Sequence, residues 1–399
     1  MKEKLLICMW SVSLLAALTL PVGMNAQEQA TDHTPAPDAG RYSVTDLGPV
    51  GPAPGQPYSI SKYGLVSGTA LTSTGAMHAT LWFGGIQLDI GKSGLGGSNS
   101  IAFGSNQWGQ VTGTAETGTA DPNGEDFCGF KFFGLPSSGS CRAFLWQNGK
   151  MTALPTLGGN NSEANQISDH GDVAGYAETS QPDAACPAPQ MLQFKPVLWS
   201  KGKAYALRTS PGDTDGVALG INDSGQIAGG SGVCAPFNPQ TLFPLQPLHA
   251  LLWDHGTMTD LGSLGGTGHG FGNIALNLNG KGHVVGNSDI AGDSANHAFL
   301  WTKETGMQDL GTLPGDFISA GLAVNDRDEV VGVSLDSSFN PRAYLRRNGH
   351  MFDLNKLIPP NSTLALLVAC SINNRGEIIG FAVDTGTGQA HGFLARPID

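Results

Sequence analysis

The residues best able to move a proton in this chain stand at repeated places, and the repetition decides how to read them. In "NHAFLWTKETGMQDLGTL" (296–313), His297 is the natural suspect for acid–base work. The same place in the pattern holds His78, Arg142, Lys195, His249, His297, Arg342 and His391, and an acid recurs as Asp46, Asp89, Asp260, Asp309 and Asp353. Seven cations could ring one face of a molecule. A donor present in every copy, however, serves the frame first, by satisfying backbone carbonyls or an acidic neighbour once per unit. Linear catalytic signatures are missing: there is no Gly-x-Ser-x-Gly, no His-Glu-x-x-His and no phosphate-cradling Gly-x-x-x-x-Gly-Lys. Acids and bases drawn from separate units would leave no such signature, so an enzyme is disfavoured rather than removed.

The elements that hold these residues come from an internal repeat. A phrase Asn-x-x-Gly-x-(Val/Ile)-x-Gly, whole or degraded, occurs seven times, its first Gly or equivalent falling at Gly64, Gly109, Gly171, Gly225, Gly282, Asp328 and Gly376. The period of about 50 residues suits a propeller blade. A second phrase follows each copy and always contains the Leu of Leu81, Leu145, Leu198, Leu252, Leu300, Leu345 or Leu394. Each unit reads as four short antiparallel strands, a to d: "ALNLN" (275–279) and "GHVVGNSD" (282–289) about one turn, "HAFLW" (297–301) and "MQDL" (307–310) about another. Strand c is apolar on both faces, with Phe299 and its equivalents on one side and Ala298 and the constant Leu on the other. A strand buried on both faces needs a sheet on each side, which radial stacking supplies.

The fold class is therefore all-β: a seven-bladed β-propeller of four-stranded antiparallel blades spanning 41–399. The last copy ends "HGFLARPID" with no strand d, while "RYSVTDLGPV" (41–50) carries the missing Asp-Leu-Gly. An N-terminal strand completing the last blade would close the ring and leave no open sheet edge at the junction.

The tripeptide His297-Ala298-Phe299, followed by Leu-Trp and then Asp-Leu-Gly-Thr-Leu, resembles the HAF-repeat family of secreted bacterial proteins. The resemblance runs from about 41 to 399 and is strongest in repeats 4 and 5; repeat 3 departs with Lys195-Pro196-Val197 and repeat 6 with Arg342-Ala343-Tyr344. It implies export and a propeller-like fold. It implies no characterised reaction, so no catalytic residues are carried over from it.

Composition sets the setting. The chain has 399 residues, 57 of them Gly, and a net charge of −12, which disfavours nucleic acid or an anionic membrane as partner. Residues 1–26, with Lys2, Lys4 and an apolar run from Leu5 to Leu20, read as a signal peptide, and 27–40 as a polar leader. No later segment is long and apolar enough to span a bilayer. The expectation is an exported monomer without cofactor, lodged at the cell surface, outside the cell or in the periplasm.

Function is expected where the blades differ. The connections between strands b and c are long in blades 2, 3 and 4 alone, about 116–140, 178–193 and 231–247, all on one face. Four cysteines fall in or beside them: Cys128, Cys141, Cys186 and Cys234. Three pairings are possible; Cys128–Cys141 and Cys186–Cys234 are favoured because the first is local and the second joins neighbouring blades. Cys370, in strand a of blade 7, reads as a buried free thiol. A cysteine metal site lacks Cys-x-x-Cys spacing. Asp121, Asn123, Glu125 and Asp126 have oxygen spacing resembling a calcium loop without its remainder. Phe130, Phe132, Phe133, Phe237 and Phe243 form either a recognition platform for a protein or glycan, or a disulfide-tied mini-core capping their own blades. The chain reads as a non-catalytic binding scaffold, with a carbohydrate-active or other hydrolase or lyase, or a structural envelope protein, as alternatives.

Overall fold

A computed structural model describes residues 40–49, 56–131, 134–137, 139–186, 188–235 and 245–398. The proposed signal peptide and leader lie outside these, as do Phe132, Phe133, Phe237 and Phe243. The described chain forms seven four-stranded antiparallel sheets. Blade 1 comprises Pro57–Ile60, Val66–Leu71, Met77–Phe83 and Ile86–Asp89. Five more blades follow in sequence order, and blade 7 takes Leu364–Ile372, Ile378–Asp384 and Ala390–Ile398 from the C-terminal end. Its fourth strand is Arg41–Pro49, paired antiparallel to the last. Asp46 faces Phe393 across this pair, as Asp309 faces Phe299 in blade 5. The N-terminal strand thus stands in true strand-d register and closes the ring.

Two repeated residues build each blade. The second Gly of the phrase, Gly68, Gly113, Gly175, Gly229, Gly286, Gly332 or Gly380, sits on strand b where a Cβ would collide with a strand-a carbonyl, in blade 5 that of Ile274. Beside each of these collisions strand a carries a bulge, whose extra residue is Tyr58, Phe103, Asn165, Leu219, Leu276, Leu322 or Cys370. Cys370 takes part in neither disulfide, and it is half-buried, not buried as its strand position suggested. The bulge takes it out of the ladder, and it packs partly against the cluster that holds Leu219 and Leu276, the bulge residues of blades 4 and 5. The strand-c residues Thr80, Phe144, Val197, Leu251, Phe299, Tyr344 and Phe393 are all essentially inaccessible on one face, as are Ala79, Ala143, Ala250, Ala298 and Ala343 on the other.

The Asn opening the phrase fastens blade to blade. In blade 5 the Asn279 Oδ1 accepts from the Lys281 and His283 amides, each at 3.0 Å, fixing the a–b turn, while Nδ2 donates to the Asn325 carbonyl of blade 6 at 2.9 Å. The links Asn106 to Ser168, Asn222 to Asn279, Asn325 to Asn373 and Asn373 to Ser61 repeat this arrangement, the last of them across the ring closure. Blades 1 and 3 carry Ser61 and Ser168 instead, whose hydroxyls still accept the amide four residues on. The first Gly of the phrase supplies the left-handed turn residue, with Asp328 taking that role at φ 60°. Because Asn279 is buried, Asn279→Ala leaves two turn amides without their acceptor and removes the link to blade 6, and should cost about 2 kcal/mol in chemical denaturation. Asn279→Ser should recover about half of that, since two blades already use the hydroxyl.

Candidate functional site

The basic residue of strand c meets the strand-d acid in most blades. His78 Nδ1 lies 2.9 Å from Asp89, His297 3.0 Å from Asp309 and His391 2.8 Å from Asp46. Arg342 reaches Asp316 at 2.7 Å and Asp353 at 3.4 Å, and His249 pairs with Asp213 at 2.8 Å, with Asp260 further off at 4.0 Å. Against the upward push of partial burial, the His297 hydrogen bond and the Gly311 amide hold the Asp309 carboxyl below its ordinary range. A carboxylate partner for this base recurs in five of the seven blades, so the pairs belong to the frame. Blades 2 and 3 differ: their d strands, Lys150–Ala153 and Lys203–Ala206, place Ala153 and Ala206 where the acid would stand. Lys195 donates to the Thr214 carbonyl instead, with Asp215, Asp183 and Asp213 nearby. Arg142 finds no counterpart among the described residues.

The long connections are tied together. Cys128 bonds Cys141, with Cα atoms 5.8 Å apart, and Cys186 bonds Cys234 at 4.8 Å, the favoured pairing in both cases. The second bridge joins the blade-3 connection to strand b of blade 4, Gln226–Cys234. Phe130 is fully buried among Met77, Ile101, Phe103, Cys128 and Cys141. That overturns its place on a recognition platform: the disulfide draws its loop inward and the ring fills the space under it. Phe127 packs the same loop against Tyr176 of blade 3, ring centres 5.4 Å apart. Among the described residues, then, the aromatics form a mini-core.

Its polar hub is Asn161, at the start of strand a of blade 3. The Asn161 Oδ1 accepts the Cys141 amide at 2.8 Å, which orients the side chain. Its Nδ2 faces Asp121 at 3.0 Å, Glu125 at 2.9 Å and Glu178 at 3.1 Å. Glu125 also accepts the Met191 amide at 2.8 Å, linking the blade-2 connection to that of blade 3. Burial first, and then the neighbouring Glu178 carboxyl, push the Glu125 carboxyl up to about 8.

The calcium expectation falls here. Asp121 Oδ1 accepts the Asn123 and Glu125 amides, Asp126 accepts the Lys131 amide, and the remaining oxygens of Asp121 and Glu125 hold Asn161 and Met191. The spacing of Asp121, Asn123, Glu125 and Asp126 is that of a turn built on an Asp side chain. Among the described residues, three potential metal-binding groups come within 4.8 Å of one another at Cys186, Cys234 and Asp215, and there the two sulfurs are bonded to each other.

Sequence reasoning missed Asn161 and its acid. The signal was present: Leu95-Gly96-Gly97 leads to Asn99 and Leu157-Gly158-Gly159 to Asn161, with Glu116 and Glu178 closing the two b strands. Each Glu accepts the main-chain amide of its Asn, at 3.1 and 2.9 Å.

Fold and site define a seven-bladed β-propeller with a disulfide-tied cap on one face of blades 2 to 4. No protein-family model and no curated protein matches the chain. Among solved structures it is similar to the β-propeller domain of the Trilobed protease from Pyrococcus furiosus, at 11% identity over 75% of this chain and 80% of that one, TM-score 0.46. An oligogalacturonate lyase in complex with manganese covers 90% and 97% at 8% identity, TM-score 0.47. A gluconolactonase from Xanthomonas campestris covers 90% and 95% at 11% identity, TM-score 0.34. At such identities no activity passes from them to this chain.

Proposed function

We propose that this protein is an exported, non-catalytic binding scaffold that engages a glycan or protein through the capped face of blades 2 to 4. The observation carrying this reading is that the departures from the repeat gather on adjacent blades and one face, where two disulfides and the Asn161 hub fix them to the frame. A frame needs no such elaboration, whereas a recognition surface needs a rigid one. The two disulfides favour an oxidising compartment, and no helix among the described residues is long and apolar enough to cross a membrane. The clustered carboxylates do not favour an enzyme. Asp121, Glu125 and Glu178 are buried and turned onto the Asn161 side chain, so none of these three forms an acid–base pair aimed at open space.

The test is retention of a panel of neutral and acidic polysaccharides on immobilised protein, with release of reducing ends followed in parallel. A variant replacing residues 181–191 by the short blade-5 connection 290–295, with Cys234→Ser, provides the contrast. Retention without release, lost in a variant that still melts cooperatively, is the expected result. Release of reducing ends, or retention indifferent to the replacement, overturns the reading.

A further inference from the structure

The series of bases on strand c has one member whose charge nothing in the frame answers. Five of the seven are paired with carboxylates, and Lys195 has a carbonyl and three acids about it. Arg142 has no hydrogen bond or ion pair among the described residues, and its Nε is buried without an acceptor. The cause is two local substitutions. Ala153 occupies the strand-d place opposite Phe144 that Asp89, Asp309, Asp353 and Asp46 occupy in other blades. Strand a of its own blade opens on Gly96, paired to Thr117 just as Asp316, which gives Arg342 its carboxylate in blade 6, is paired to Asp336. Burial lowers the pKa of the Arg142 guanidinium, and no acid offsets the shift. An arginine keeps its proton regardless, so the chain carries an unanswered, half-desolvated charge.

That charge borders a cavity of about 380 Å³ between the blade-2 connection and blade 3. The walls are Thr117, Thr119, Ser140 and Asn160, with Ala120, Pro122 and Gly159 completing them. No carboxylate lines it, although Asp121 and Glu125 stand in the adjoining loop; their oxygens are turned the other way, onto Asn161 and Met191. The lining is therefore one cation surrounded by neutral hydroxyls and an amide. A planar guanidinium matches a carboxylate through two parallel hydrogen bonds, and hydroxyl and amide groups suit a polar body attached to it.

We propose that this cavity binds the carboxylate of a small polar ligand, with Arg142 as the charge-reading residue. The inference rests on the binding-scaffold reading and names the chemistry that one part of that face selects. Two sources offer this chemistry, an acidic sugar and the C-terminal carboxylate of a peptide. They differ in what surrounds the anion, and the hydroxyl-rich walls serve either.

The experiment is calorimetric titration of the full-length mature protein with glucuronate, with N-acetylglycine as the peptide-terminus mimic, and with glucose as the neutral control. Binding of at least one carboxylate and none of glucose is expected. Arg142→Gln should weaken it at least tenfold, the loss of one charge-assisted pair. A second variant keeps the test open if that one folds poorly: Ala153→Asp installs the acid the other blades carry. It should pair with Arg142, raise the melting temperature and abolish carboxylate binding. The proposal is overturned if neither carboxylate binds the wild type, or if Ala153→Asp binds as well as the wild type does. Polysaccharide retention that survives Ala153→Asp would sink this inference alone, whereas retention indifferent to the loop replacement would sink the scaffold reading itself.

Discussion

Gly286→Ala should lower the unfolding free energy by about 3 kcal/mol, enough to leave a modestly stable domain partly unfolded. The added methyl would meet the Ile274 carbonyl of strand a, with Ala275 Cα at 3.0 Å and Phe299 Cε1 at 2.9 Å behind it. None of these can yield cheaply: the carbonyl is held in the bulged a–b pair, and the Phe299 ring fills the seam between strands. The matched control is Gly306→Ala in the c–d turn, where φ is +67° and the space is open. There the cost is backbone strain alone, about 1 kcal/mol. Urea midpoints of the two variants check the prediction, and equal losses would show that the close approach at Gly286 relaxes away. The same reasoning extends to the equivalent position of each blade, which is Gly in all seven copies.

How much of this was legible in sequence depends on what each feature repeats. Blade number, strand order and closure were readable because the phrase, the constant Leu and Asp-Leu-Gly recur with the strand period, and Asp46 announced a strand d out of place. The disulfides were readable because the cysteines sit where the repeats diverge. Burial inside the connections was not: Phe130 in an insertion looks the same whether it faces solvent or a mini-core, and only the inward pull of Cys128–Cys141 decides it. Cys370 misled because strand position alone does not set depth: it packs only partly against the cluster that encloses Leu219 and Leu276 at the same bulge of blades 4 and 5. Arg142 was visible as a base, but its isolation depends on Ala153 and Gly96, residues that draw no attention until strand pairing sets them in the places of the missing acids.

The buried acids give the second large effect, and its sign can be worked out. Glu163, on strand a of blade 3, is wholly enclosed; burial raises its carboxyl from the ordinary 4.5 to about 8, with the hydrogen-bonded Tyr176 pulling slightly the other way. The Phe127 and Phe194 rings about Tyr176, at 5.4 and 5.9 Å, keep the surroundings apolar. Between 4.5 and about 8 the folded chain holds a proton that the unfolded chain has released, so stability falls as pH rises through that window and levels off above it. The Glu125 carboxyl, raised by burial and Glu178, contributes in the same direction. Opposing them at the acid end, Asp328 and Glu377 have lowered pKa values, because His283 for the first and Asn373 and Arg375 for the second outweigh the upward push of burial. Their stabilisation is lost as pH falls below the ordinary carboxylate range. Maximum stability is therefore expected at mildly acidic pH, about 5, and a decline on the order of 3 kcal/mol by pH 9. Glu163→Gln keeps the shape and an acceptor for Tyr176 but carries no titrating proton. Whatever constant cost the amide brings, its stability curve should be flatter than the wild type's between pH 5 and 9, so the two curves converge or cross toward alkaline pH. Parallel curves would mean that Glu163 ionises in the folded protein as freely as in the unfolded chain, and that the apolar enclosure of blade 3 admits water.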